Sequence, residues 1–448
     1  MLIEFSINNY TSFRDKNTLY AQTGPYMTKY KETNVFRHKN VSILKNLLIF
    51  GPNGAGKTRL LNGLGLMQYL VTHGGSKNDG DKLPYFPFAL DDESQKRDTE
   101  FEILLEKNQT IYNYQFSYNL EKITKEKLSV LRGKKFVDYF ARVGKKIDLN
   151  TNFFLRKDGK NQKVDNQYLS QVFKRLRDNE LFLYLAQQEN DLISSEVFNW
   201  FKNDLMFVNT RRHPIPNNFL ELMKNPDLKD EMIKFLQFAD FNISDIEVDE
   251  EIVENQQEND IDTEASDDIN PQKKKIRLYV YHKVYNPEGK VIGKRKFSLG
   301  VESIGTQRIF FFVLAIMYSQ YSGNKKTIVI DEFEDSLHYE MVKALVEIFN
   351  SKENNNQFII STHSLELLKL KIRADQIYLI EKNFMGVSSL KSIFDFKDEN
   401  DKRSISSIQK KYIRGSFGAF PLIDVEGLEK VLENIHKIIK KENNESKQ

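Results

Sequence analysis

Leu47-Leu48-Ile49-Phe50-Gly51-Pro52-Asn53-Gly54-Ala55-Gly56-Lys57-Thr58 is an apolar run that passes directly into a glycine-rich loop and then into a segment with Leu60, Leu61 and Leu64 at helical spacing. Strand, loop and helix in that order, with the pattern G-x-x-x-x-G-K-T, are what a phosphate-binding loop requires. The glycines let backbone N–H groups close around the β- and γ-phosphates. Lys57 reaches the same oxygens, and the Thr58 hydroxyl is placed to hold Mg²⁺. The stretch predicts that Gly51, Asn53, Gly54, Ala55, Gly56, Lys57 and Thr58 bind a nucleoside triphosphate, with ATP and Mg²⁺ as cofactors.

Outward from this loop the chain alternates in type. Residues 2–7 alternate in strand fashion and 41–50 reads as the buried strand before the loop, so a parallel core sheet is expected to begin here. From 83 to 143 short runs rich in Tyr, Phe, Ile and Val, such as Phe101-Glu102-Ile103-Leu104-Leu105, predict an antiparallel β subdomain. Apolar spacing over 168–201 and 217–238 is helical and predicts a helical insertion, with no heptad run long enough for a coiled-coil arm. The second half returns to strands at 327–330, 357–360 and 376–380, with helices expected from Ser336 and Ser364, which is the pattern of a parallel α/β sheet. The fold class expected is therefore an α/β P-loop NTPase. Its head is divided between 1–82 and 301–395, separated by the β subdomain and helical insertion at 83–300 and followed by a helical segment at 396–448.

Thr327-Ile328-Val329-Ile330-Asp331-Glu332 is a buried strand ending in two carboxylates. Asp331 would help hold Mg²⁺, and Glu332 would orient and deprotonate the attacking water. Ile360-Ser361-Thr362-His363-Ser364 ends the next strand with a histidine placed for the γ-phosphate or its water, the alternative being a helix-capping segment through Ser361 or Thr362. Val301-Glu302-Ser303-Ile304-Gly305-Thr306-Gln307 opens a long apolar helix, where Ser303 and Gly305 can present a hydroxyl and N–H groups to phosphate or act as an N-cap. Glu332, His363 and Lys57 are the candidate catalytic residues, and Thr58 and Asp331 the metal ligands.

In order and spacing these elements resemble the ABC/SMC/RecF class of ATPase heads. Glu302-Ser303-x-Gly305-Thr306, Asp331-Glu332-Phe333-Glu334-Asp335-Ser336-Leu337-His338 and Lys411-Tyr412-Ile413-Arg414-Gly415-Ser416-Phe417-Gly418-Ala419-Phe420-Pro421 look like the bacterial AAA-family ATP-binding proteins of the RloA and AbiL type. The resemblance spans essentially the whole chain. It implies an ATPase in which two heads sandwich ATP, the Ser303 signature of one completing the site of the other, so that the protein works as a homodimer or higher homo-oligomer. It also implies phage defence by abortive infection, with control of a separate, nuclease-like effector protein. Two departures stand out. Relatives often read Asn-Phe-Arg-Ser-Phe after the first strand, but here Asn9-Tyr10-Thr11-Ser12-Phe13-Arg14 displaces the basic residue, and Arg14 is left out of the site. No Q-loop glutamine is assigned, Gln115, Gln187 and Gln188 being read as structural.

Composition bounds the remaining choices. The 448 residues are 40% hydrophobic and 12% aromatic, enough for a large core. With no cysteine and a strand-like start, a cytoplasmic setting is expected. The most apolar run, 309–317, is shorter than the roughly 20 residues that span a bilayer, so no membrane partner is expected. Net charge is only +3, from 66 basic and 63 acidic residues, which gives no global field for nucleic acid. Residues 245–268 hold twelve Asp or Glu and no Lys or Arg, followed by Lys273, Lys274, Lys275 and Arg277; that run is expected to be a mobile acidic loop. The basic cluster after it supports the alternative function, a RecF- or SMC-like DNA-binding ATPase with nucleic acid as partner. A transporter motor would need a Q-loop and a membrane-coupling surface. A fused nuclease would need a metal domain in the 67 residues after Glu381, where no Asp-x-Asp follows an apolar strand.

Overall fold

The computed structural model describes residues 1–448 apart from 26, 39–40, 76–77, 79, 151–165, 209–221, 240, 254–272, 324, 396–409, 411, 413–423 and 446–448. Among the described residues the expected α/β class is built on two main sheets. The central one has the order β11 (Leu205–Val208), β15 (Thr327–Ile330), β16 (Gln357–Thr362), β5 (Asn46–Phe50), β17 (Ile377–Lys382), β18 (Ser388–Ser392). Its pairings are parallel except for the β17–β18 hairpin. Because β5, β15 and β16 run the same way side by side, the residues that follow them leave the sheet along one edge, where ligands of open α/β sheets bind.

The central strands are buried on both faces, and the pleat divides their side chains between two cores. Leu47, Ile49, Val329, Ile359 and Ile380 join the first, with α1 (Lys57–His73), α3 (Phe182–Gln188) and α4 (Leu192–Asn199). Leu48, Phe50, Ile328, Ile330, Phe358 and Ile360 join the second, with α5 (Pro226–Phe238), α6 (Ile304–Tyr321) and α7 (Tyr339–Phe349). Each such side chain contributes roughly 1.5–3 kcal/mol by leaving water, so the platform beneath the loops is rigid. An amphipathic α8 (Val425–Glu445) lies near the end of the chain.

The second main sheet is antiparallel: β10 (Lys146–Leu149), β9 (Lys135–Val143), β8 (Ile123–Arg132), β7 (Thr110–Tyr118), β6 (Thr99–Lys107), β1 (Leu2–Asn8), β2 (Asn17–Tyr20). Here the expectation for 2–7 is corrected, because β1 pairs with β2 and β6 instead of opening the parallel sheet. Alternation in a seven-residue strand fixes its two faces but not its neighbours. The start of β1 is stitched to the central sheet by the fully buried Gln357, whose Oε1 accepts from Leu2 N–H at 2.9 Å and whose Nε2 donates to the Leu2 carbonyl at 2.9 Å. The 41–50 strand is broken at Lys45 into β4 (Ser42–Leu44), which pairs with β3 (Val35–Arg37), and β5. Lys45 Nζ donates to the carbonyls of Ser351 (2.5 Å) and Asn354 (3.1 Å), which draws the residue away from either ladder.

Three further expectations change. The helix placed from Ser336 begins at Tyr339 with His338 as its cap, since Ser336 has φ +59°. From Ser364 the chain makes only a 3₁₀ turn, Leu365–Lys369, because the buried positions Leu367, Leu368, Leu370 and Ile372 do not follow a 3.6-residue period. The acidic run begins not as a loop but as β12 (Asp245–Val253), paired with β13 (Lys273–Tyr285), which pairs with β14 (Val291–Ser298); residues 254–268 lie outside the described part. Ile246, Val248, Leu278, Val280 and Phe297 on one face of this small sheet pack onto the second core. On the other face the acids are compensated from far along the chain: Lys296 Nζ lies 2.7 Å from Glu247 and 3.3 Å from Asp249, and Lys229 Nζ 2.8 Å from Asp245. Lys296 and Tyr281 hold the Glu247 carboxyl down at about 2. Of the tail at 411–421 only Tyr412 is described, and it is buried.

Candidate active site

β5 ends at Phe50, and the loop that follows turns back into α1 through two glycines with positive φ, Gly54 (+74°) and Gly56 (+119°). Gly56 also has no room for a side chain, since a Cβ would stand 2.7 Å from Ser388 Oγ and 3.0 Å from Ser12 Oγ. Those two serines brace the loop from behind: Ser388 Oγ donates to Ala55 O at 2.5 Å and lies 2.8 Å from Ser12 Oγ. The sequence gives neither serine this role, because nothing local to Ser12 or Ser388 signals so distant a partner. Gly51, Ala55, Gly56 and Lys57 are buried, whereas Asn53, Gly54 and Thr58 face solvent. The concave side of the loop is thus open where phosphates would approach.

Lys57 Nζ donates to the carbonyls of Gly51 (2.7 Å) and Pro52 (3.1 Å) and lies 3.4 Å from His363 Nδ1. Burial pushes its ammonium below the ordinary value, against the pull of Asp331, Glu334 and Glu332. The influence of all three on one lysine places the ends of β5 and β15 around a common centre. His363, which follows β16, joins them. Partial desolvation and then the Lys57 ammonium hold its imidazole below the ordinary value, which favours the neutral ring. With Nδ1 turned to a lysine donor, the ring proton belongs on Nε2.

The two carboxylates after β15 are held by the neighbouring strand. Ser361 Oγ donates to an Asp331 carboxylate oxygen and accepts from Glu332 N–H at 2.8 Å, and the Ser361 carbonyl accepts from Phe333 N–H at 3.1 Å. Ser361 is therefore buried beneath the site instead of capping a helix. Glu332 adopts φ +48°, a conformation costing a non-glycine residue of order 1 kcal/mol, and its side chain is exposed. Its backbone is fixed from the second side by Arg308 of α6, whose guanidinium donates to the carbonyls of Glu332 (2.7 Å), Asp331 (3.2 Å) and Asp335 (2.9 Å) and pairs with the Asp335 carboxylate at 2.9 Å. A signal for Arg308 existed, since it is the one charged residue in the sequence of α6.

Ser303 and Gly305 sit at the start of the same helix. Ser303 Oγ accepts from Thr306 N–H at 3.1 Å, so it caps α6, yet the residue is exposed, as are Val301 and Ile304 on either side. Gly305 lies against the 331–338 loop, where a Cβ would come 2.6 Å from the Ser336 carbonyl. Through Gly305 and Arg308 the start of α6 touches the 331–338 loop of its own chain. Thr58 and Asp331 offer a hydroxyl and a carboxylate, hard oxygen donors that suit Mg²⁺ with water completing its shell. Among the described residues no group of three or more His, Cys, Asp or Glu is arranged as a cage for a metal ion. Nor is any helix there long and apolar enough to cross a membrane.

Residues 47–369 match the family model described as "AAA domain, putative AbiEii toxin, Type IV TA system". An "ATP/GTP phosphatase" of Helicobacter pylori (strain ATCC 700392 / 26695) is 33% identical over 102 residues, a match that covers 22% of this chain and 25% of that protein. Two solved structures align over most of the chain. The SMC head domain from Thermotoga maritima is 12% identical with a TM-score of 0.37, covering 87% of this chain and 98% of that one. The SmcHead bound to the C-winged helix domain of ScpA is 14% identical with a TM-score of 0.36, covering 87% and 97%.

Proposed function

The chain belongs to this AAA-domain family, and from that premise we propose that it binds and hydrolyses ATP as a conformational switch. The observation that bears most weight is the convergence of Lys57, Asp331, Glu332 and His363 at one edge of the sheet. Backbone N–H groups of 53–56 and Lys57 would grip the phosphates, and the neutral His363 would donate from Nε2 to the terminal phosphate or its water. Glu332 would take the proton of the attacking water, its backbone held against reorganisation by Ser361 and Arg308. Thr58 and Asp331 would hold Mg²⁺, which when bound neutralises charge on the phosphates. The printed name of the Helicobacter relative is in keeping with triphosphate hydrolysis.

The composite-site reading, in which Ser303 serves the nucleotide of a second copy, is supported by the exposure of Ser303, Val301 and Ile304 beside a helix start. The family description names a putative toxin of a type IV toxin–antitoxin system; within such a setting we propose an ATP-dependent sensor of anti-phage abortive infection that controls a separate effector. The DNA-maintenance alternative draws less support, because a net charge of only +3 gives no global field for nucleic acid. Hydrolysis is tested with Glu332→Gln, which should lower turnover about 10²- to 10⁴-fold while ATP still binds. Unchanged phosphate release by that variant would remove Glu332 from the mechanism.

A further inference from the structure

At the end of β16, within the electrostatic reach of Lys57, lies a carboxylate that the mechanism above does not use. Glu334 follows Phe333, which is fully buried between Phe312 and Phe349 at ring separations of 5.6 and 5.7 Å. Anchored there, Glu334 reaches across to the end of β16, where Oε1 accepts from the main-chain N–H of His363. On its other side, the Ser364 N–H donates to Thr362 Oγ1 at 3.0 Å. Ser361 and Arg308 are committed to the backbone of 331–335, and among the described residues the His363 N–H donates to Glu334. Glu334 Oε2 is buried and has no hydrogen-bond partner among the described residues.

We propose that Glu334 is a positioning residue that sets the His363 main chain for the terminal phosphate, and that this bond lets the site discriminate ATP from ADP. The inference rests on the nucleotide-binding reading above and deepens it. A peptide N–H held by a carboxylate fixes where the imidazole stands, and a hydrogen bond to a charged partner is stronger than a neutral one. Lys57, 3.4 Å from the ring, is fixed by Gly51 and Pro52, so His363 is the member of the pair whose position depends on Glu334. ADP lacks the phosphate that His363 would meet and should not sense the bond. Oε2, left open, is suited to a proton donor such as an ordered water and repels phosphate oxygens.

The test is equilibrium binding of ADP and of the β,γ-imido analogue of ATP, each with Mg²⁺, to the full chain. Glu334→Ala should weaken the analogue about tenfold and leave ADP within about twofold, as expected for loss of one charge-assisted bond. Glu334→Gln retains an oxygen for the His363 N–H and should recover the analogue's affinity to within about threefold. His363→Ala should show the same selective loss, and the double variant no further loss, because the two act as one unit. Equal weakening of both nucleotides, no weakening of either, or additive losses in the double variant would overturn the assignment. Wild-type protein that binds neither nucleotide would instead overturn the nucleotide reading on which it rests.

Discussion

Lys57 is held below its ordinary pKa by burial, and the carboxylates of Asp331, Glu334 and Glu332 offset only part of that cost. Phosphate oxygens closing around it would favour the ammonium and raise the pKa again. Between the lowered and the restored value, binding must take up a proton, and affinity must fall as pH rises through the lowered one. Calorimetry of ATP binding at about pH 9 in two buffers of different ionisation enthalpy should therefore report net proton uptake. Lys57→Arg should abolish the uptake, since a guanidinium stays charged throughout. Absence of uptake in the wild type would mean that Lys57 does not meet the phosphates. Lys57 itself, with Gly51–Thr58, was legible because the loop motif is local. The roles of Ser361, Glu334, Ser12 and Ser388 were not, because each acts on a residue brought near only by folding, Ser388 on Ala55 being the extreme.

The small sheet of β12, β13 and β14 separates what local pattern reveals from what it hides. Twelve acids without a nearby cation read as a solvated loop, yet Lys296 and Lys229 supply the missing charge to Asp245, Glu247 and Asp249. The apolar alternation Ile246, Val248 was present in the sequence but masked by composition. If β12 is a strand whose inner face is core, Ile246→Ala should cost about 2–4 kcal/mol in urea unfolding, whereas a loop position would change stability by less than about 0.5 kcal/mol. A null effect would return 245–253 to the loop reading. β11 was missed for a different reason: four residues directly after a helical run, Leu205–Val208, lack the length to declare a period. By contrast β15, β16 and β17, each bounded by polar residues, were placed within one or two residues of their ends.

At the scale of the whole molecule the candidate site at the strand ends is joined to the start of α6, which contacts the 331–338 loop of its own chain and leaves Ser303 exposed. Gly305 against Ser336 and Arg308 against 331–335 give a physical link by which the start of α6 and the catalytic loop must move together. A second copy seated on Ser303 would then bias the loop that carries Glu332, and ATP would favour the joined state by its differential affinity. Mixing two inactive variants tests this claim most directly. Lys57→Ala lacks the phosphate grip, and Ser303→Arg blocks the nucleotide of a facing copy, so each alone should be inactive. In a mixed pair one site collects both defects while the other joins an intact Lys57 to an intact Ser303. After subunit exchange an equal mixture should recover up to about a quarter of wild-type turnover. If a control mixture of wild type and Lys57→Ala is active while the two-variant mixture stays inactive, Ser303 is only the cap of α6 and the composite site is contradicted.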